Sequence, residues 1–175
     1  MGRMLDRLYD LAGALAALAI LMICVVVAAQ IGLNILARVG GPGLSFTIPS
    51  YADFAGFALA AASFLALAHT LRRGGHIRVT LLTNRLPHGA RWAVELFVLA
   101  LATALTAFAT YYMWLLVAES LHYNDTSPGM IAIPLWIPQT PVALGLSLLT
   151  LALIHTLVES VQARGAILTG EGGAE

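Results

Sequence analysis

Four long stretches of this chain carry no Asp, Glu or Arg: Leu11 to Ala37, Phe54 to Leu71, Leu96 to Ala118, and Thr126 to Val158. A helix crosses the hydrocarbon layer of a membrane with about 20 apolar residues, so each stretch is long enough to span. Lipid offers backbone N–H and C=O groups no partners, which selects helices over open strands. The fourth stretch exceeds a span, but Pro128, Gly129, Pro134, Pro138 and Pro141 punctuate its first half. They predict a helix that starts near Thr140 with Pro141 in its first turn, where the missing N–H costs nothing. The expected fold is an all-α integral membrane protein. It forms one membrane domain over residues 1–175, with four transmembrane helices over about residues 11–37, 51–71, 92–118 and 140–161. Short interfacial segments join them, and a glycine-rich, disordered tail covers about residues 165–175.

Composition agrees with this pattern. Hydrophobic residues make up 59% of the chain and charged ones 10%, against roughly 25% charged in a soluble domain. Nine basic and nine acidic side chains cancel, leaving no positive field to hold nucleic acid. The single cysteine, Cys24, sits in an apolar run and has no intrachain partner for a disulfide. All the basic residues are arginines, and eight of the nine flank the spans on one side. Arg3, Arg7, Arg72, Arg73, Arg78, Arg85, Arg91 and Arg164 share that side, with Arg38 alone on the other. Arginine-rich loops stay in the cytoplasm, so both termini are expected there. A secretory signal is not expected at the amino end, because the apolar run from Leu11 to Ala37 exceeds the roughly 7 to 15 residues of a signal's core.

Ionisable groups within a membrane are costly, and most here lie near span ends. Gln30, Asn34 and Arg38 recur every four residues and form one stripe on the first helix. The expectation is that Gln30 and Asn34 bond to a neighbouring helix while Arg38 reaches to the interface. Ser50 and Asp53 have the spacing of a capping box at the start of the second helix. Ala52, Gly56 and Ala60 repeat at four-residue spacing, which lets helix backbones approach closely, within this bundle or against another membrane protein. Met4, Leu8 and Leu11 share one face of an amino-terminal segment expected to lie along the membrane surface before turning inward. Spaced Ser, His and acid residues, an HExxH motif and a phosphate-cradling loop are all missing from the sequence, so an enzyme is not expected. Two histidines, His69 and His155, lie at similar expected depth and leave a second reading open, a b-type haem membrane cytochrome.

The connection between the second and third spans reads Arg72-Arg73-Gly74-Gly75-His76-Ile77-Arg78-Val79-Thr80-Leu81-Leu82, followed by Arg85-Leu86-Pro87 and Arg91. This run resembles the signature of the small membrane subunit (DctQ-like, small permease) of tripartite ATP-independent periplasmic (TRAP) transporters. Arg38 falls where that family ends its first helix with arginine. The stretch from Ser127 to Pro138, with Pro134, Trp136, Pro141 and Gly145, is similar to its loop before helix four. Two departures stand out: Tyr51-Ala52-Asp53-Phe54 occupies the place of a tryptophan and a glutamate pair, and Thr80 the place of an aspartate.

The resemblance implies a small subunit of a sodium-gradient-driven secondary transporter for organic acids in the bacterial inner membrane. Such a subunit packs as a scaffold on a large membrane subunit and works with a periplasmic substrate-binding protein. No cofactor is implied for this chain, and any coupling sodium would bind the large subunit. Arg72, Arg73, His76, Arg78, Arg85 and Pro87 carry the motif and are candidates for lipid or partner contact on the cytoplasmic side. Asn34, Arg38, Asp53, Gly56 and Ala60 are candidates for the large-subunit or helix-packing interface.

Overall fold

The computed structural model describes residues 2–41, 43, 46–74 and 87–163. They form four helices, α1 (Gly2–Gly40), α2 (Tyr51–Arg72), α3 (His88–Tyr123) and α4 (Trp136–Ala163), each long and apolar enough to cross a membrane. The expected tail over about residues 165–175 and the motif residues His76, Arg78 and Arg85 lie outside the described residues. The helices overrun the apolar stretches that predicted them. At 1.5 Å per residue, the 39 residues of α1 extend about 58 Å, nearly twice the hydrocarbon thickness. The amino-terminal segment continues α1 without interruption instead of turning along the surface. Tyr9, Ala12 and Ala16 are buried there, which holds the first turns in line with the rest of the helix.

The helix α4 begins four residues earlier than its prolines suggested, at Trp136. Its first turn borrows acceptors from the preceding loop, with Ile137 N–H donating to the Pro134 carbonyl and Gln139 N–H to that of Leu135. Pro138 then falls among the first residues, whose N–H groups have no intrahelical acceptor, and Pro141 is accommodated one turn in.

Among the described residues, extended contact joins α1 to α2, α2 to α4, and α4 to α3. The helices therefore stand in a row, α1–α2–α4–α3, with two inner and two outer members. In the most apolar stretch of each helix, 28% and 39% of residues are buried in α2 and α4, but only 11% and 6% in α1 and α3. Lipid tails are as apolar as leucine, so packing depends on close approach and not on the hydrophobic effect. Accordingly the buried residues are small: Ala58, Ala62 and Ala68 in α2, and Ala143, Gly145 and Ala152 in α4. At Gly145 an added Cβ would lie 2.5 Å from the Phe64 carbonyl carbon and oxygen and 2.9 Å from Leu65 N, so the two inner backbones touch there. Residues of all four helices meet toward one end, where Tyr9, Ala68, Leu71, Leu99, Ala152 and Leu153 form a common core. That end carries the ion-paired residues Asp6, Asp10, Arg72, Arg73 and Glu159, together with the start of α1 and the end of α4. The opposite end carries the two connections between α1 and α2 and between α3 and α4.

Candidate functional site: the charged end and the loop end

Arg72, on the last turn of α2, is the hub of the charged end. Its guanidinium holds Glu159 of α4 with two prongs, Nη1 to Oε2 at 2.6 Å and Nη2 to Oε1 at 3.3 Å. Nη1 also donates to Thr156 Oγ1 at 3.4 Å, and Nη2 lies 3.7 Å from Asp6 Oδ1 of α1. One side chain thus ties three helices. The planar fork of arginine suits this role, since it meets a carboxylate with two parallel bonds that a lysine could not reproduce. His155 Nε2 stands 3.4 Å from Glu159 Oε1, one turn back on α4.

Asp10, one turn beyond Asp6 on α1, forms the second tie. Its Oδ1 accepts a bond from Arg73 Nη2 at 3.1 Å and lies 3.1 Å from His69 Nδ1. The imidazole can sit there because residue 13 is glycine. A Cβ on Gly13 would come within 2.8 Å of the His69 ring. Asp6, Tyr9, Asp10, His69, Arg72 and Arg73 line an open cleft of about 230 Å³. Within it the Tyr9 ring is wholly buried, and its hydroxyl has no hydrogen-bond partner among the described residues. On the other flank, Trp92 of α3 donates its indole N–H to the Ser160 carbonyl of α4 at 3.2 Å. No group of three or more His, Cys, Asp or Glu among the described residues could hold a metal.

The loop end is closed by hydrogen bonds instead of charge. Ser127 N–H donates to the Ile133 carbonyl at 2.8 Å, Leu135 N–H to that of Asp125 at 2.9 Å, and Thr126 pairs with Pro134 as an isolated bridge. This folded loop docks on the start of α2. Ile131 N–H donates to Ser50 Oγ at 3.0 Å, and the open side of Gly129 faces the Asp53 carboxylate and the Ser50 hydroxyl. Ser50 therefore does not complete the capping box. It adopts a left-handed conformation, φ 55°, makes no side-chain cap to its own helix, and spends its hydroxyl on the neighbouring loop. Ser50→Ala is expected to cost about 1 kcal/mol, the net worth of one such bond, and to speed proteolytic cutting between residues 124 and 135. Unchanged cutting would show that the loop is held by other contacts.

The other expected residues differ in their surroundings. Arg72 and Arg73 are brought together, but as internal ties to acids of α1 and α4, with Arg72 largely enclosed and Arg73 exposed. Pro87 immediately precedes α3 in extended conformation. Gln30 does not reach another helix: its amide donates to Asn34 Oδ1 at 3.0 Å on the same face and accepts from Ile48 N–H at 2.9 Å, tethering the α1–α2 connection. Asn34, Arg38 and Gly56 are exposed and Ala60 is half-buried. Gly56 has no atom within 4 Å of where a Cβ would stand, so close approach within the chain is made at Gly145 instead. His69 and His155 each have a separate carboxylate neighbour, Asp10 and Glu159.

Sequence reasoning passed over Asp6, Asp10 and Glu159, which complete the charged end. Their spacing held a usable sign. Asp6 and Asp10 stand one turn apart on one face, matched by the adjacent pair Arg72 and Arg73 at the same membrane surface.

A row of four apolar helices, tied by ion pairs at one end and by a folded loop at the other, defines an integral membrane protein whose two outer helices remain open along most of their length. The family model of the DctQ component of tripartite ATP-independent periplasmic transporters matches residues 23–163, and the chain belongs to that family. It is thus the small membrane component of a TRAP transporter. No curated protein and no solved structure gives a significant match to it.

Proposed function

We propose that this chain is the scaffold subunit of a sodium-gradient-driven importer of organic acids, packed on a large membrane subunit that carries the substrate and sodium sites. A periplasmic binding protein delivers the acid, and both termini of this subunit face the cytoplasm of a bacterial inner membrane. The observation that carries this reading is the row arrangement, in which α1 and α3 each make extended contact with a single neighbour. A row has broad sides and no enclosed centre, a shape suited to widening and bracing a neighbouring protein. The ties at the charged end resist sliding between α1, α2 and α4, so the row can act as one stiff unit against which a moving domain works. The eight arginines that the order of spans along the sequence puts on one side support the orientation.

The test is to co-express the tagged chain with its large subunit, purify in mild detergent, and reconstitute each species in proteoliposomes. The expected result is a stable two-subunit complex that takes up a carboxylate when binding protein and an inward sodium gradient are both supplied, and no uptake by this chain alone. Uptake by this chain alone would refute the scaffold role. Recovery without a companion, accompanied by a reducible Soret band, would favour the cytochrome reading.

A further inference from the structure

The outer face of α3 differs from that of α1 in one chemical respect. Along α1 the exposed residues Leu11, Leu15, Leu18 and Leu21 are purely apolar, and lipid tails satisfy them. On α3, Tyr111 and Tyr112 are 62% and 54% exposed. Their rings pack edge to face at 5.4 Å, and Tyr112 rests on Phe108 at 4.6 Å, so the three rings form one fixed cluster. Neither tyrosine hydroxyl has a hydrogen-bond partner among the described residues.

Depth makes these hydroxyls significant. Thr110 Oγ1 lies 3.1 Å from Thr150 Oγ1, and Trp114 donates its indole N–H to Ser147 Oγ at 3.0 Å. Residues 110–114 are therefore abreast of 147–150, midway along α4 (Trp136–Ala163). The nearest charged residue toward the loop end is Glu119, roughly 10 Å further along the helix axis. Helical side chains lean toward the amino terminus of their helix. For α3 that terminus is at the charged end, so both tyrosines lean away from the nearer surface and deeper into the layer. A hydroxyl in hydrocarbon without a partner is unfavourable, which is why tyrosine collects at membrane surfaces instead.

We infer that the Phe108–Tyr111–Tyr112 cluster is the surface that the large transporter subunit covers, with a transmembrane helix of that subunit offering hydrogen-bond acceptors at mid-depth. This rests on the reading above that a large subunit packs on this chain. A protein partner supplies what lipid tails cannot, an acceptor oxygen held at that depth. The α1 face along Leu11, Leu15, Leu18 and Leu21 needs none and is left to lipid.

The test uses the co-expressed two-subunit complex in native membranes. A photoreactive phenylalanine analogue is placed at Tyr111, at Tyr112 or, as a control, at Leu18 on α1. Crosslinks from both tyrosine positions to the large subunit, and none from Leu18, are expected. Tyr111→Phe with Tyr112→Phe is expected to reduce recovery of the large subunit roughly five- to tenfold, while leaving the thermal stability of the isolated chain unchanged, since no internal bond is lost. Lipid adducts or crosslinks to a second copy of this chain, from membranes in which the large subunit still co-purifies, would overturn the face and leave the scaffold reading intact. Failure of the large subunit to co-purify with the unmodified chain would overturn both.

Discussion

Gly145→Ala is expected to destabilise the isolated protein by about 1–3 kcal/mol, the usual cost of forcing extra volume into a packed interior. Alanine is otherwise the better helix former, by about 1 kcal/mol, so the sign of the result isolates the contact. The added methyl would stand 2.5 Å from the backbone carbonyl of Phe64. Backbone cannot rotate aside as a flexible side chain can, so α2 and α4 must separate along their shared seam. Gly145→Val should be worse, because its branched carbons add volume at the same point. Unfolding from mild-detergent micelles by dodecyl sulfate, followed by tryptophan fluorescence, measures the effect. Trp114 is a local reporter, since its indole is bonded to Ser147 two residues away from the glycine. Gly56→Ala and Gly32→Ala serve as controls, because neither added methyl meets any atom within 4 Å. If Gly145→Ala proved neutral, the close approach of the two inner helices would be wrong.

Separating the charged end should have a comparable effect by another mechanism. Arg72→Met leaves Glu159, among the described residues, with His155 beside it, and Glu159→Met leaves Arg72 with its weaker contacts to Thr156 and Asp6. Each single change is expected to cost about 2 kcal/mol, the range for a hydrogen bond to a charged group whose partner is left behind. The double variant should recover part of that loss, because exchanging a whole ion pair for apolar residues is often close to neutral. A coupling energy of roughly 1–3 kcal/mol in the double-mutant cycle is the expected reading. Strict additivity would mean that Arg72 and Glu159 do not interact. Asp6→Asn provides a gradation: at 3.7 Å its contact with Arg72 is longer than that of Glu159, and its effect should be smaller.

These two experiments act on different seams. The Gly145 contact governs how closely the inner helices stand at the middle of the row. The Arg72 cluster governs whether α1 moves with α2 and α4 at the charged end. A scaffold that braces a moving partner needs both, and transport by the reconstituted complex should fall for either variant even where the complex still assembles.

Much of the architecture was legible without coordinates. Charge-free runs located all four helices, because a membrane span tolerates few ionised side chains and must be long. The arginine, glycine, histidine and isoleucine run between the second and third spans pointed to the family now matched over residues 23–163. Local geometry was less readable. A serine three residues before an aspartate reads as a capping box, yet Ser50 gives its hydroxyl to Ile131 from another part of the chain. Prolines after Pro134 suggested a late start to α4, yet the loop supplies carbonyl acceptors that allow it to begin at Trp136. Gly56 sits in a small-residue repeat yet has open space where a Cβ would stand, while Gly145, in no such repeat, faces the backbone of α2 there.

The sequence by itself determined that this protein is helical, crosses a membrane four times and belongs among transporter small subunits, because span length, absence of charge and a contiguous motif are all local properties of the chain. Only the tertiary structure decided which helices are inner and which are outer, that Arg72 answers Glu159 across 87 positions, and that Tyr111 and Tyr112 stand exposed abreast of the middle of α4. Those are properties of pairing. In a chain where nearly every helix face is apolar, periodicity does not distinguish a face that meets lipid from one that meets protein. The distinction is made by close contacts and by the few polar atoms that must find a partner.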